Sequence, residues 1–297
     1  MRVLVTGALG FTGRYMTDAL RAVGHDPIAS ASDITDPGAV ADEVGTARPD
    51  AIIHLAASAF AGGDAIDEFY AVNQLGAFHV LDAAAKGCPG AHVVLASSAQ
   101  VYGAQAAGLV REDAPTLPAN HYGLSKLAGE LGSAFFADRL RIAIVRPFNY
   151  TGVGQEARYL LPKIVDHVAR GAAVIELGNT FVRRDFGDVR AVADAYVGLV
   201  ETGAQGVFNV GTGRAWSIGD ILRILERRSG HRLDVQVNPA FVRQNEVPEL
   251  AGDIARLRAA LPDWRPRDIE DTLAWMLDAA RDAQTLDAQT SDARTRG

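Results

Sequence analysis

The N-terminal segment places a glycine-rich turn directly between a short hydrophobic strand and a helix. Met1-Arg-Val-Leu-Val-Thr-Gly7 is a β-branched run that predicts a buried strand. Gly7-Ala-Leu-Gly10-Phe-Thr-Gly13 follows, and a helical pattern then covers residues 14–23. Glycines allow a tight turn with close backbone approach, and the N-terminus of a helix offers free N–H groups to a pyrophosphate. The segment therefore predicts an α/β fold that binds a dinucleotide.

Strand-like and helical patterns alternate along the chain. Strands are predicted at 3–6, 27–30, 51–55, 93–97, 142–146 and 207–210. Helices are predicted near 11–23, 37–47, 66–87, 121–138, 159–170, 189–202 and 217–229. This alternation predicts a doubly wound parallel sheet.

The pattern loosens after Pro147, which predicts a second, smaller lobe. We expect residues 1–150, with roughly 180–212, to form the dinucleotide-binding domain. Residues 151–180 and 213–280 would form the smaller lobe over the carboxyl ends of the strands, where ligands bind in such folds. The polar tail, 281–297, has almost no apolar residues and is predicted to be disordered.

Composition excludes several classes of protein. The 297 residues carry a formal net charge of −7 with a pI near 5.5, which argues against nucleic acid or an anionic membrane as a partner. Cys88 is the only cysteine, so the sequence predicts no disulfide framework and no cysteine metal site. No apolar run approaches the roughly 20 residues that span a bilayer. We expect a protein of the reducing cytoplasm, with no metal.

Tyr122 and Lys126 lie four positions apart in the predicted helix near 121–138. This spacing puts both side chains on one helical face. Lysine occurs only at 86, 126 and 163, so a lysine here indicates more than surface charge. A tyrosine hydroxyl has a pKa of about 10, and a neighbouring ammonium lowers that pKa by favouring the phenolate. The pair therefore predicts a general acid/base, against the simpler alternative of a tyrosine packed beside a lysine stem.

Further motifs stand in order along the chain. They are Gly7-Ala-Leu-Gly10-Phe-Thr-Gly13, Asp33-Ile-Thr-Asp36, His54-Leu-Ala-Ala57, Asn73, Ser97-Ser98-Ala-Gln-Val-Tyr-Gly103, Tyr122-x-x-x-Lys126 and Arg146-Pro-Phe-Asn149. With these motifs the chain resembles the extended short-chain dehydrogenase/reductases, in the nucleotide-sugar epimerase/dehydratase group, over nearly all of residues 1–280. The resemblance implies a Rossmann-like fold with a smaller C-terminal substrate-binding lobe, and an NAD(P)-dependent enzyme.

The resemblance also implies roles for individual residues. Tyr122 would exchange a proton with a substrate C4 oxygen, Ser98 would hydrogen-bond that oxygen, and Lys126 would hold the nicotinamide ribose. The residues expected at the cofactor are Gly7, Gly10, Phe11, Thr12, Gly13, Arg14, Asp33, Ile34, Leu55, Ala56, Ala57, Asn73, Tyr122, Lys126 and Arg146. Two alternatives stay open: Ser98 could simply cap a turn, and Asn73 could simply brace a helix against a strand.

The substrate side resembles the GDP-6-deoxy-4-keto-D-mannose reductases, which form GDP-D-rhamnose. The residues expected at the substrate are Ser98, Gln100, Asn149, Lys163, Arg184, Arg243 and Glu246. Arginines suit a diphosphate because their planar fork pairs bidentately with oxygens. Sugar dehydratases of the family carry acids where this chain has Ala99 and Gln100, so dehydration is not expected. The alternatives are a nucleotide-sugar 4-epimerase and a non-catalytic sensor that only binds a dinucleotide.

The sequence favours NADP(H) over NAD(H), although NAD(H) stays possible. Asp33 lies about twenty positions after Gly13, a spacing typical of an acid that binds the ribose diol of NAD. Asp33-Ile-Thr-Asp36 also resembles a family motif that contacts adenine after the third strand, and then the second strand ends in Ser30-Ala-Ser32 without an acid. Arg14 directly follows Gly13, where it could face a 2′-phosphate.

A homodimer is expected from the helices near 66–87 and 121–138, which relatives commonly pair in a four-helix bundle. Both helices carry more apolar residues than one face needs to cover a sheet. These residues are Phe69, Val72, Phe78, Leu127, Leu131 and Phe135.

Overall fold

The computed structural model of the protein describes residues 1–59, 66–242 and 247–295. The strands are β1 Arg2–Thr6, β2 Asp26–Ala29, β3 Ala51–His54, β4 His92–Ala96, β5 Gly108–Val110, β6 Arg141–Pro147, β7 Asn149–Thr151, β8 Val174–Leu177, β9 Arg183–Asp188, β10 Gly206–Val210, β11 Ala215–Ser217, β12 Asp234–Val237 and β13 Glu249–Gly252. The helices are α1 Phe11–Ala22, α2 Pro37–Ala47, α3 Ile66–Glu68, α4 Gly76–Gly87, α5 His121–Ser133, α6 Leu160–Ala169, α7 Val189–Thr202, α8 Ile218–Ser229, α9 Ala255–Ala260 and α10 Ile269–Thr295.

A six-stranded parallel sheet forms the centre of the fold. Its strand order is β10-β6-β4-β3-β1-β2, and every neighbouring pair is parallel. Each predicted strand is present, with its ends shifted by at most one residue. The chain leaves β1 towards β2 on one side and returns to β3 on the other, so a crevice opens at the carboxyl ends of β1 and β3. The predicted doubly wound α/β fold is confirmed.

Helices cover both faces of this sheet, because its central strands are apolar on both sides. One buried cluster joins α1 and α7 to the sheet, with Met16, Leu20 and Tyr196 fully buried. A second cluster joins α2 and α4 to the opposite face. The edge strand β2 carries Pro27, which lacks an N–H group and so discourages pairing with another chain.

The predicted helices near 66–87 and 121–138 are less regular than expected. The first one is α3, then a π-helical segment at Phe69–Leu75, then α4. The second is α5, followed by a 3₁₀ segment at Ala134–Phe136. π-Helical segments are rare and are frequent at functional sites, which draws attention to the residues that this one presents.

The remaining strands build smaller sheets, and the sequence analysis predicted none of these strands. One has the order β11-β9-β13-β5, with β7 paired to β9, and another pairs β12 with β8. A separate apolar cluster lies among α6, α8 and α10. β9 belongs to the smaller sheet although it lies within 180–212, whereas α7 and β10 of the same segment pack in or on the central sheet. The division into two lobes stays a proposal.

The polar tail also differs from the expectation of disorder. Helix α10 continues past residue 281 to Thr295. Across the described ranges, no helix combines the length and the apolar character that crossing a membrane requires.

Candidate active site

The turn after β1 is shaped by its three glycines. Gly7 has a φ of +69°, which L-residues rarely adopt. A Cβ atom at Gly13 would lie 2.2 Å from the carbonyl oxygen of Gly7, so no side chain fits there. Gly10 is the N-cap of α1 and offers no side chain to the free N–H groups, and the first helical turn contains no acid. The turn therefore leaves a helix N-terminus open to a phosphate, as expected for a dinucleotide.

The loop after β3 packs against this turn through the Thr6 hydroxyl. Thr6 accepts hydrogen bonds from the backbone N–H groups of Leu55 and Ala56, each at 3.2 Å. The same hydroxyl lies 2.8 Å from Nδ1 of His54. Burial lowers the pKa of His54 to about 3, which keeps the ring neutral.

Asn73, in the π-helical segment, braces three parts of the site. Its side-chain oxygen accepts from the Ser58 N–H at 2.8 Å, and its amide nitrogen donates to the Ser58 carbonyl oxygen at 2.9 Å and to the Ser125 hydroxyl at 3.0 Å. Asn73 is buried. Its hydrogen bonds join the loop that contains Ala57 to α5, so the geometry agrees with the bracing alternative rather than with direct cofactor binding.

Ser98 and Tyr122 meet at the carboxyl end of β4. Ser98 follows that strand, and its hydroxyl accepts from the Gln100 N–H at 3.2 Å. Burial raises the pKa of Tyr122, and the nearby Ser98 hydroxyl opposes this shift. The Tyr122 ring packs edge-on against Phe69 with centroids 6.1 Å apart. The two hydroxyl groups are therefore neighbours at this end of the sheet.

Lys126 forms a hydrogen bond with β4. Its Nζ donates to the Ala96 carbonyl oxygen at 2.9 Å. Burial raises the pKa of Tyr122 above its ordinary value, and Lys126 is not among the groups that shift it. Its ammonium is turned towards β4, so the stabilisation of the phenolate by Lys126 stays a prediction. Burial lowers the pKa of Lys126 itself to about 8, with Glu130 opposing the shift.

The pKa of Lys126 predicts a pH dependence of cofactor binding. The ammonium is charged below about pH 8 and neutral above it. If it binds the nicotinamide ribose, cofactor affinity should fall as pH rises through that value, because a charged donor forms the stronger hydrogen bond. Fluorescence titration of NADH and NADPH between about pH 6.5 and 9.5 measures this. The Lys126→Met variant should bind both cofactors more weakly, and its affinity should not change with pH in this way. Lys86→Met, at an exposed lysine, should keep the pH dependence of the wild type. The same transition in Lys126→Met would contradict this role.

Arg146 is buried in an ion pair rather than open to a cofactor. Its guanidinium binds both carboxylate oxygens of Glu130, the closest at 2.6 Å, and donates to the Tyr102 hydroxyl and the Glu112 carbonyl oxygen at 3.1 Å. The Ser97 hydroxyl donates to the same carboxylate. Glu130 raises the pKa of Arg146 against the opposing effect of burial. The expectation that Arg146 contacts the cofactor is therefore replaced by a structural role between β6 and α5.

The end of β2 has an acid that the sequence analysis did not identify. Glu43, from α2, accepts hydrogen bonds from the Ser30 hydroxyl at 2.6 Å and the Ala31 N–H at 2.8 Å. Asp33 lies in the loop between β2 and α2, where its carboxylate accepts from Thr35, and these hydrogen bonds lower its pKa. Ile34 is buried against α4. Arg14 is exposed on the first turn of α1.

The residues expected at the substrate are spread over several elements. Asn149 is exposed at the start of β7. The Gln100 side chain accepts from the Asn120 amide at 2.8 Å, and Lys163 donates to the Glu176 carbonyl oxygen at 2.7 Å. Arg184 donates to the Val247 carbonyl oxygen at 2.7 Å. Arg243 and Glu246 lie outside the described residues, so their placement stays a prediction.

The site as a whole combines a phosphate-binding turn with a proton donor. The phosphate turn follows β1, the Thr6-braced loop follows β3, and the Ser98–Tyr122 pair follows β4, so all three meet at one edge of the sheet. Within the part of the chain that the structure describes, no group of three or more His, Cys, Asp or Glu side chains could hold a metal ion. The arrangement can hold a dinucleotide and exchange a proton with an adjacent oxygen.

Comparison with known proteins identifies the family. The profile of the NAD dependent epimerase/dehydratase family matches residues 3–211. The chain belongs to this family. The family predicted from the sequence motifs is thereby confirmed, together with the prediction of an NAD(P)-dependent enzyme.

Individual relatives cover nearly the full length of the chain. GDP-6-deoxy-D-talose 4-dehydrogenase of Aggregatibacter actinomycetemcomitans is 32% identical over 264 residues, covering 86% of this chain and 90% of that protein. GDP-6-deoxy-D-mannose reductase of Pseudomonas aeruginosa is 31% identical over 304 residues, covering 91% and 99%. The solved structure of RMD from Pseudomonas aeruginosa complexed with NADPH superposes with a TM-score of 0.82 at 28% identity, covering 95% of this chain and 99% of that one.

Proposed function

We propose that the protein uses NADPH or NADH to reduce the C4 keto group of a GDP-4-keto-6-deoxy-hexose, giving GDP-D-rhamnose or its C4 epimer. The observation that carries the proposal is the placement of the neighbouring Ser98 and Tyr122 side chains at the same end of the sheet as the phosphate-binding turn. The names of the two relatives support a GDP-linked deoxy sugar as substrate. Loss of absorbance of the reduced cofactor on mixing with 4-keto nucleotide sugars tests the reaction class.

Each residue of the site has a defined part in this reaction. When bound, the nicotinamide supplies the hydride. Tyr122 donates the proton to the C4 oxygen, and burial, which raises its pKa, keeps its hydroxyl protonated. Ser98 donates a second hydrogen bond to the same oxygen and stabilises the charge that develops there. Lys126 would bind the nicotinamide ribose.

The residues after Ser98 support reduction over dehydration. Ala99 and Gln100 provide no carboxyl group, and the Gln100 amide is held by Asn120. Elimination of water needs an acid and a base at the substrate, which these two side chains cannot supply. A nucleotide-sugar 4-epimerase would use the same tyrosine and serine, so it remains the alternative. It differs in requiring no net consumption of reduced cofactor.

NADPH is the cofactor that we favour. Arg14 is exposed next to the phosphate-binding turn, where a guanidinium could pair with a 2′-phosphate. The related Pseudomonas aeruginosa structure contains NADPH. Glu43, which lies at the end of β2, would instead favour the free ribose diol of NADH. The preference for NADPH or NADH therefore depends on whether Arg14 or Glu43 faces the adenosine ribose.

GDP binding should depend on Arg243. If its guanidinium pairs with the diphosphate, Arg243→Ala should weaken the binding of GDP roughly ten- to a hundredfold, since charge-assisted hydrogen bonds contribute about 1.5–3 kcal/mol. NADPH affinity should stay close to wild type, because its pyrophosphate belongs to the Gly7–Gly13 turn. Calorimetry measures both, with Arg228→Ala, an exposed arginine paired with Asp278, as the control. Unchanged GDP affinity in Arg243→Ala would remove the main physical support for a GDP sugar.

The protein should be a homodimer in solution. Apolar side chains stay exposed along the outer faces of the π-helical segment, α5 and its 3₁₀ extension. They are Leu75, Leu124, Leu131 and Phe135, of which Phe135 is 81% exposed. Of the other residues expected there, Leu127 is buried, whereas Phe69, Val72 and Phe78 are half-buried. Light scattering at micromolar concentration should give twice the mass of one chain, and Leu131→Asp should shift it towards the monomer. A monomeric wild type would contradict the proposal.

A further inference from the structure

An aromatic seam joins the first turns of α1 to β7 and α10. We define the seam as Phe11, Tyr15, Tyr150 and Trp275. The rings of Phe11 and Tyr150 are stacked, with centroids 6.4 Å apart and planes at 11°. The rings of Tyr15 and Trp275 meet edge to face at 6.0 Å, and the Tyr15 hydroxyl donates to the Val153 carbonyl oxygen at 2.7 Å. The helix that starts at the phosphate-binding turn is thus packed directly against the substrate side of the molecule.

Within the seam, one pair of hydroxyl groups is hydrogen-bonded. The Thr12 hydroxyl lies 2.9 Å from that of Tyr150, although the two residues are 138 positions apart. Thr12 is the second residue of α1, and Tyr150 is the middle residue of β7. Burial raises the pKa of Tyr150, so its phenol is neutral and can donate or accept this hydrogen bond. Removing either hydroxyl leaves the other without its partner in a half-buried place, which is costly.

β7 presents its side chains alternately to two sides. In a strand, successive side chains point to opposite faces, so Tyr150 points towards the phosphate-binding turn while Asn149 and Thr151 point away. Asn149 is exposed and is expected to hold the nucleotide sugar. The strand is fixed by parallel pairing with β9, in which Tyr150 stands opposite Gly187. Tyr150 also contributes to the raised pKa of Tyr122, so the two phenols lie in one electrostatic environment.

We propose that Tyr150 is a positioning residue for hydride transfer. Through its hydrogen bond to Thr12, it holds the first turn of α1 at a fixed distance from the strand that begins with Asn149. It therefore sets the distance between the cofactor and the substrate. The inference rests on the proposed function. Hydride transfer requires a near-attack geometry, and a displacement of about 1 Å can lower the rate a hundredfold. Loosening the contact should lower kcat more than it changes either affinity.

The test uses Tyr150→Phe, Thr12→Val and the double variant. Tyr150→Phe keeps the ring stacked on Phe11, and Thr12→Val keeps the shape of the side chain. We expect Tyr150→Phe to lower kcat about ten- to a hundredfold, with the KM of the sugar nucleotide and the dissociation constant of the cofactor close to wild type. The double variant should be no slower than the slower single variant, since both remove one hydrogen bond. A wild-type kcat in Tyr150→Phe, or fully additive losses, would overturn the inference.

Tyr15→Phe is the matched control. It removes another hydroxyl of the seam while keeping its ring, and it breaks only the hydrogen bond to Val153. Its kcat should stay near wild type, and a loss equal to that of Tyr150→Phe would show that packing of the seam, not the Thr12 contact, matters. Cofactor titration without any sugar separates this test from the proposed function. A wild type that binds neither NADH nor NADPH refutes the function, whereas an active Tyr150→Phe refutes only the positioning role.

Discussion

Tyr122→Phe should lower turnover about 10²–10⁴-fold, the usual contribution of general acid catalysis. The hydroxyl is the group that would transfer the proton, and phenylalanine keeps the ring that packs against Phe69. Folding and cofactor affinity should therefore stay near wild type. The measurements are kcat, the dissociation constant of the cofactor and the thermal midpoint. Turnover like that of wild type would refute the assigned proton donor.

The two adjacent serines provide the control for this prediction. Ser98 lies beside Tyr122, whereas Ser97 donates to the buried Glu130 carboxylate. Ser98→Ala should therefore lower kcat, because it removes a donor to the C4 oxygen. Ser97→Ala should lower thermal stability instead. Equal kinetic losses in both variants would mean that the effect arises from disturbing the end of β4 and not from the chemistry of one hydroxyl.

Arg146→Met should destabilise the fold by about 3–5 kcal/mol. The substitution leaves the Glu130 carboxylate buried without its cation, since Arg146 and Glu130 are almost fully buried and joined at 2.6 Å. The free energy of unfolding in urea measures the loss. Arg111→Met is the control, because its pair with Asp113 is exposed and should contribute less than about 1 kcal/mol. Unchanged stability together with a large loss of cofactor affinity would restore the cofactor-binding role expected from the sequence.

The phosphate-binding turn and the central strands could be predicted because their signals are local. The glycines at 7, 10 and 13 indicate a phosphate-binding turn because they lie between a predicted strand and a predicted helix. The spacing of Tyr122 and Lys126 alone places them on one helical face. Strands such as β5 and β7 have only three residues each, too few to show a period. They form only because distant segments supply partners, which a sequence pattern does not record.

The partners of charged and polar side chains were the hardest part to predict. The sequence suggests that Arg146 is a cation that binds a ligand, but in the structure it forms an ion pair with Glu130 of α5. Lys126 lies close to Tyr122 along the helix, yet its ammonium donates a hydrogen bond to a carbonyl oxygen of β4. Glu43 reaches β2 from the following helix. Each of these outcomes depends on which polar groups are neighbours in the folded protein, and spacing along the chain does not determine that.

The most direct test of the proposed function is to follow the product made from GDP-4-keto-6-deoxy-D-mannose. The substrate can be generated in place by a GDP-mannose dehydratase, and the purified protein is then supplied with NADPH or NADH. NMR of the product should show a GDP-6-deoxyhexose with a C4 hydroxyl, formed with loss of one reduced cofactor per sugar and absent with Tyr122→Phe. A wild type that binds cofactor yet leaves this sugar and the cofactor absorbance unchanged would contradict the account.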